Sequence, residues 1–218
     1  LFYEVTTMPL DLYHPTQLES WISEKYQQDG IFSPHEMNLD RIAALFGIDV
    51  MYYMGPSFAD WKDGQYSVIF LNKLLTVDKQ REAFFHELCH PLRHVGHQKL
   101  LPPGLAQLQE VQAETFQLYA SMPFYMLVEY EECLRSGNGL YTLATEFALP
   151  ESLVKRRLKQ IMSRIRRGEE NQRINDTLPA IPEPRIISHS PDTLKMLNKL
   201  LWLSAQRGRK VNLNGRRV

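Results

Sequence analysis

Residues 84–94 read FFHELCHPLRH and set two histidines and a glutamate in the order His86-Glu87-x-x-His90. On an α-helix, positions i and i+4 lie on one face with Cβ atoms about 5–6 Å apart. Two imidazole nitrogens can therefore reach one tetrahedral zinc ion. Glu87 stands about 100° around the helix from His86, off the ligand pair and placed to act on water as a general base. A catalytic zinc site takes three protein ligands and leaves its fourth position to water, so a third ligand must come from elsewhere in the chain. Chance alone would place this pattern in roughly 0.02 of chains of such composition. The bland alternative is two surface histidines with a solvated glutamate between them. Phe84 and Phe85 argue against it, because they bury the helix and buried polar side chains need partners.

The neighbouring residues narrow the class. A metzincin would carry glycine seven and histidine ten residues after His86; Arg93 and Gly96 stand there instead. His94 lies one helical turn beyond His90, with Pro91 set to bend or end the helix between them. It reads as a group that supports a ligand, or a structural one, rather than a ligand. Cys89 lies off the metal-facing side and reads as core. For the third ligand, a following helix with the run EVQAETFQLYASMP offers Glu110 and Glu114, and the periodicity does not choose between them. His94, His97 and Tyr119 are candidates for stabilising an oxyanion.

These residues need elements to hold them. PTQLESWISEKYQQ (15–28) predicts a helix capped by Thr16 with Glu19 three residues on. MNLDRIAALFG predicts a short helix stopped at Gly47, followed by a strand from Ile48 to Tyr53 closed by Gly55-Pro56. A second strand, QYSVIFLN, follows a turn at Asp63-Gly64. The histidine motif then lies on a buried helix starting near Asp78. Pro102-Pro103-Gly104 reads as a loop before a long helix ended by Pro123. Helices are expected near 138–147 and 151–167, a Pro-punctuated linker from Glu169, and a last helix over 191–207. The order predicts an α+β domain with a helical C-terminal part.

The run IFLNKLLTVDKQREAFFHELCHPLRH, followed by EVQAETFQLYASMP, resembles the ImmA/IrrE family of metallo-endopeptidases. Leu71-Asn72, His86-Glu87-His90, Glu110, Ala113, Phe116 and Met122-Pro123 stand where that family's motifs fall. DRIAALFGIDVMY is similar to the segment before its first strand. Cys89 departs from the family's glycine, Pro91 follows His90 directly, and Gln117 replaces a common alanine. The resemblance spans roughly residues 36–123. It implies a small zincin-like domain, a zinc cofactor with Glu110 as third ligand beside His86 and His90, and Glu87 as catalytic base. It also implies a regulatory protease of a mobile element or stress response, with a helix-turn-helix transcriptional repressor as protein substrate.

Composition bounds the rest. The chain has 218 residues, 44% hydrophobic and 23% charged, enough to bury a core. No apolar run approaches the roughly 20 residues that span a bilayer, and the start lacks a signal-peptide pattern. Two cysteines make no disulfide framework. A cytoplasmic protein without membrane contact is expected. The zero net charge hides a split: residues 1–150 hold 9 Lys+Arg against 19 Asp+Glu, and residues 151–218 hold 16 against 6. The basic part includes LYTLATEFALPESLVKRRLKQI, which is similar to a helix-turn-helix and carries Lys155, Arg156, Arg157 and Lys159. It reads first as a helical hairpin packed on the zinc domain with a solvated basic face, and alternatively as a DNA contact or a dock for a protein substrate. The expected parts are a zinc peptidase domain (1–124), a helix-turn-helix-like region (125–168), and a basic linker with C-terminal helix (169–218). The competing function is a DNA- or protein-binding regulator whose metal site is structural or sensory. A peptidase that has lost activity and serves as a scaffold is a third.

Overall fold

A computed structural model of the chain describes residues 10–94, 101–135, 138–177 and 190–206. It divides into two compact units, Leu1–Arg173 and Ile174–Val218. His97 and residues 178–189, half of the expected linker, lie outside the described residues.

Helix α1 (Gln17–Gln28) begins with the capping box that its sequence predicts. Thr16 Oγ1 accepts from the Glu19 backbone N–H at 3.2 Å, and the Glu19 carboxylate accepts from the Thr16 N–H at 2.8 Å. Asn38 caps α2 (Leu39–Leu45), and Gly47, at φ +67°, supplies the left-handed turn that releases the chain into a strand. Three strands follow: β1 (Asp49–Tyr53), β2 (Phe58–Lys62) and β3 (Tyr66–Asn72). The sheet order is β1-β3-β2. Strand β1 runs parallel to β3, with Asp49 opposite Val68, and β2 runs antiparallel to it, with Phe58 opposite Phe70.

Strand β2 corrects the two-strand expectation. Its period-2 pattern is masked by charge: Asp60 and Lys62 alternate with Ala59 and the buried Trp61. Gly64, at φ +71°, makes the tight link to β3 possible, with the Gln65 N–H donated to Lys62 O at 2.9 Å.

The histidine motif lies on α3 (Val77–Glu87) and α4 (Cys89–Arg93). Pro91 has no N–H to give the Glu87 carbonyl, and the regular helix is interrupted at Leu88. Leu88 nonetheless keeps right-handed helical torsions (φ −59°, ψ −31°), so the coil continues through the motif. The expected break between His90 and His94 therefore falls one turn earlier. Helix α5 runs Pro103–Ser121 and starts at the proline that was expected in a loop; a proline suits the first helical position. Short helices α6 (Phe124–Leu127) and α7 (Glu131–Arg135) precede α8 (Gly139–Glu146). Helix α9 spans Glu151–Thr177, so the linker expected from Glu169 is helical as far as Thr177.

One apolar core joins these elements. Ile69 and Leu71 of β3, Phe84 and Phe85 of α3, Phe116 of α5, Phe147, and Leu153, Val154, Leu158 and Ile161 of α9 belong to a single buried cluster. A buried polar centre fastens α9 to α1. Arg157, fully buried, lies 2.9 Å from Glu19 and donates to Met122 O at 3.1 Å. Arg164 also pairs with Glu19 and donates to the Tyr13 hydroxyl at 3.1 Å. In the second unit, Ser190 caps α10 (Pro191–Gln206), whose Leu194, Met196, Leu200 and Trp202 are exposed.

Candidate metal centre

Three contacts fix where α3 lies. The buried Arg81 donates to Met37 O at 2.8 Å and to Phe147 O at 2.9 Å, tying α3 to chain segments on two sides. Gln117, on α5, donates its amide to Glu82 O at 2.7 Å. The Tyr26 hydroxyl donates to Ala120 O at 3.1 Å and holds α5 against α1. The glutamine that departs from the family's usual alanine is thus a brace between the two helices that carry the site.

Between those helices, one ligand atom each of His86, His90 and Glu110 lies within 4.8 Å of the others. His86 Nε2 is 3.2 Å from Glu110 Oε2, and His90 Nε2 is 3.9 Å from Glu110 Oε1. A tetrahedral ion with bonds near 2.0–2.1 Å separates its ligand atoms by about 3.3–3.5 Å. Two imidazoles and one carboxylate are a donor set suited to a metal ion of this kind; the His86–Glu110 pair matches this span, and the His90–Glu110 pair is wider than it. Glu114, the other candidate, points elsewhere: its carboxylate is 3.2 Å from Arg156.

Glu87 borders this cluster, with Oε2 4.0 Å from His90 Nε2. Its carboxylate accepts the backbone N–H of Ala59 on β2 at 3.0 Å. Burial pushes its pKa up to about 7, with the Glu110 charge adding to the rise and the Ala59 N–H opposing it. Burial, reinforced by the neighbouring His86, takes His90 down to about 4, so at neutral pH its ring is uncharged and has a lone pair to give. Trp61, also on β2, lies nearly parallel to the His90 ring, centroids 6.3 Å apart and planes 13° apart. Ala59 and Trp61 are the site residues that sequence reasoning missed. The turn at Asp63-Gly64 was the available signal, since such a turn joins two strands of a hairpin.

An open cleft of about 540 Å³ runs along α3 from the cluster, lined by Ser57, Asn72, Lys79, His86, Glu87 and Arg156 among others. The oxyanion candidates fare differently. Tyr119 has its hydroxyl engaged by Arg164 and Gln160 and its ring faced by Arg157, so it belongs to the buried polar centre. His94 is buried behind His90, Nδ1 to Nδ1 at 3.0 Å. Cys89 is 1% exposed within the core, and burial pushes its thiol up to about 12. It should resist a thiol reagent at pH 8 in the folded protein and react fully once the chain is denatured. Labelling followed by peptide mass mapping checks this; rapid labelling of Cys89 in the folded state would show the helix to be open.

A short mixed sheet, a helix presenting His-Glu-x-x-His and a second helix bringing a glutamate to it define a zincin-like α+β metallopeptidase domain, here followed by a helical part. The chain belongs to the IrrE N-terminal-like domain family, peptidase M78, whose model matches residues 43–159. It is 32% identical over 143 residues to the phage-like element PBSX protein XkdA of Bacillus subtilis (strain 168), covering 66% of this chain and 72% of that protein. It is 28% identical over 146 residues to the uncharacterized protein YqaB of the same strain, covering 67% of this chain and 84% of that one. No solved structure gives a significant match. Among the described residues, no helix is long and apolar enough to cross a membrane.

Proposed function

We propose that this chain is a zinc-dependent endopeptidase, with His86, His90 and Glu110 as metal ligands and Glu87 as catalytic base. The observation that carries this reading is the joint placement of three ligand atoms within 4.8 Å and a buried carboxylate at their edge. When bound, zinc would supply Lewis acidity, lowering the pKa of water and polarising the scissile carbonyl. The protein's own residues do the rest. Glu87 takes a proton from the attacking water and passes it to the leaving amine nitrogen. The Ala59 N–H holds the Glu87 carboxylate in place between the two transfers, and β2 shields it from bulk water. The cleft along α3 has room for several residues of an extended chain.

The substrate in this reading is a helix-turn-helix transcriptional repressor of a mobile element or stress response. The family resemblance supports that class; the mobile-element setting is also supported by the relative XkdA, a protein of a phage-like element. The test compares new protein N-termini in a lysate supplied with the wild-type chain or with Glu87→Gln. The expected result is a cut, present only with wild type, in a protein carrying a helix-turn-helix segment. Cuts that persist with Glu87→Gln, or none at all with zinc-loaded wild type, would overturn the proposal.

A second reading rests on α9, whose Leu153, Val154 and Leu158 face the core while Lys155 and Lys159 face solvent. That face could meet DNA, and the protein would then be a regulator with a sensory metal site. Binding of a duplex that weakens steeply with salt and survives Glu87→Gln would favour it.

A further inference from the structure

We infer that His94 is a positioning residue: it fixes which nitrogen of His90 carries the proton and thereby holds His90 in the form that can bind metal. The inference rests on the metal reading proposed above. A neutral imidazole has one N–H and one lone pair. His90 turns Nε2 toward Glu110 and Glu87, and its other nitrogen lies 3.0 Å from His94 Nδ1. Two ring nitrogens at that distance share one proton, so one must donate and the other accept. If His94 Nδ1 donated, the His90 proton would sit on Nε2 and block the ligand position. If His94 Nδ1 accepts, the His90 proton sits on Nδ1 and the Nε2 lone pair is free.

The surroundings restrict the alternatives. His90 and His94 are 3% and 5% exposed, so bulk water does not compete for either nitrogen. The His94 backbone N–H donates to His90 O at 3.0 Å, which locks the two residues one helical turn apart. Trp61 lies flat beside the His90 ring and limits its rotation. The acceptor form of His94 carries its own proton on Nε2, a buried nitrogen that makes no hydrogen bond among the described residues. Partners on the far nitrogen of a ligand histidine orient the ring and raise its basicity; removing them costs about 10–100-fold in metal affinity.

The test measures zinc affinity by competition with a chromogenic chelator for wild type, His94→Phe and His94→Gln. Phenylalanine keeps the volume and removes the acceptor, so affinity should fall about 10–100-fold. Glutamine offers an amide oxygen and should recover part of that loss. Equal affinity in all three would overturn the inference and leave the metal site standing. No zinc binding by wild type would sink both. Long-range proton–nitrogen NMR of the histidine rings in zinc-loaded wild type needs no variant. It should show His90 protonated at Nδ1 and His94 at Nε2; His94 protonated at Nδ1 would overturn the inference however the variants behave.

Discussion

Glu87→Gln should lower peptide hydrolysis by about 10²–10⁴-fold, the usual contribution of a positioned general base, while zinc stays bound. Glutamine keeps the volume and can still accept the Ala59 N–H through its amide oxygen, but it cannot take a proton from water. Glu87 lies outside the proposed ligand set, its carboxylate 4.0 Å from His90 Nε2, so the substitution leaves the His86, His90 and Glu110 donors unchanged. Without metal, burial brings the Glu87 pKa up to about 7; a bound zinc would lower it, which favours the carboxylate form that takes a proton from water. The measurement is hydrolysis of the protein substrate beside zinc content, on the same preparations. Loss of metal in the variant would instead place Glu87 among the ligands, and full activity without the carboxylate would remove it from the reaction.

The second large effect is on stability and lies at the opposite side of α5. Glu19→Ala should destabilise the first unit by about 3–5 kcal/mol, because it leaves the fully buried Arg157 and the adjacent Arg164 without their shared counter-charge. For a unit of this size that is a fall in Tm of roughly 10 °C, read by thermal unfolding. The same residue gives a pH dependence. Burial alone would raise the Glu19 pKa, but Arg157, the Thr16 N–H, the Tyr13 hydroxyl and Arg164 together bring it below the ordinary carboxylate value. A carboxyl depressed in the folded state contributes stability that is whole above its unfolded pKa of about 4.3. That stability is lost as pH falls through the lower folded value. Wild type should therefore lose stability below about pH 4, and Glu19→Gln should be less stable at neutral pH with a flatter acid limb. Parallel acid limbs in the two proteins would count against the buried pairing.

What the sequence disclosed, and what it hid, follows from how far each signal reaches. The α1 cap was legible because Thr16 and Glu19 satisfy each other locally. The two histidines were legible because a helix places i and i+4 on one face whatever surrounds it. Choosing between Glu110 and Glu114 was beyond periodicity, since both lie one turn apart on α5; the family resemblance implied Glu110. The structure turns Glu110 toward His86 and engages Glu114 with Arg156 of α9, a contact 42 positions away in the chain. Strand β2 was hidden because Asp60 and Lys62 make its outer face look like a loop. Its inner face nonetheless supplies the N–H on Glu87 and the ring against His90. The interruption of α3 at Leu88 came from a missing N–H at Pro91, which leaves the Glu87 carbonyl, four residues earlier, without its helical donor. Glu19 gave no sequence sign of its second role, because its two arginines lie 138 and 145 positions further on.

The most direct test of the central claim is zinc content by mass spectrometry on wild type and His90→Ala, each purified without added metal. The account predicts about one zinc per chain in wild type, lost in the variant, as expected when one of three ligands is removed. No metal in either protein, even after zinc is added back, would contradict it.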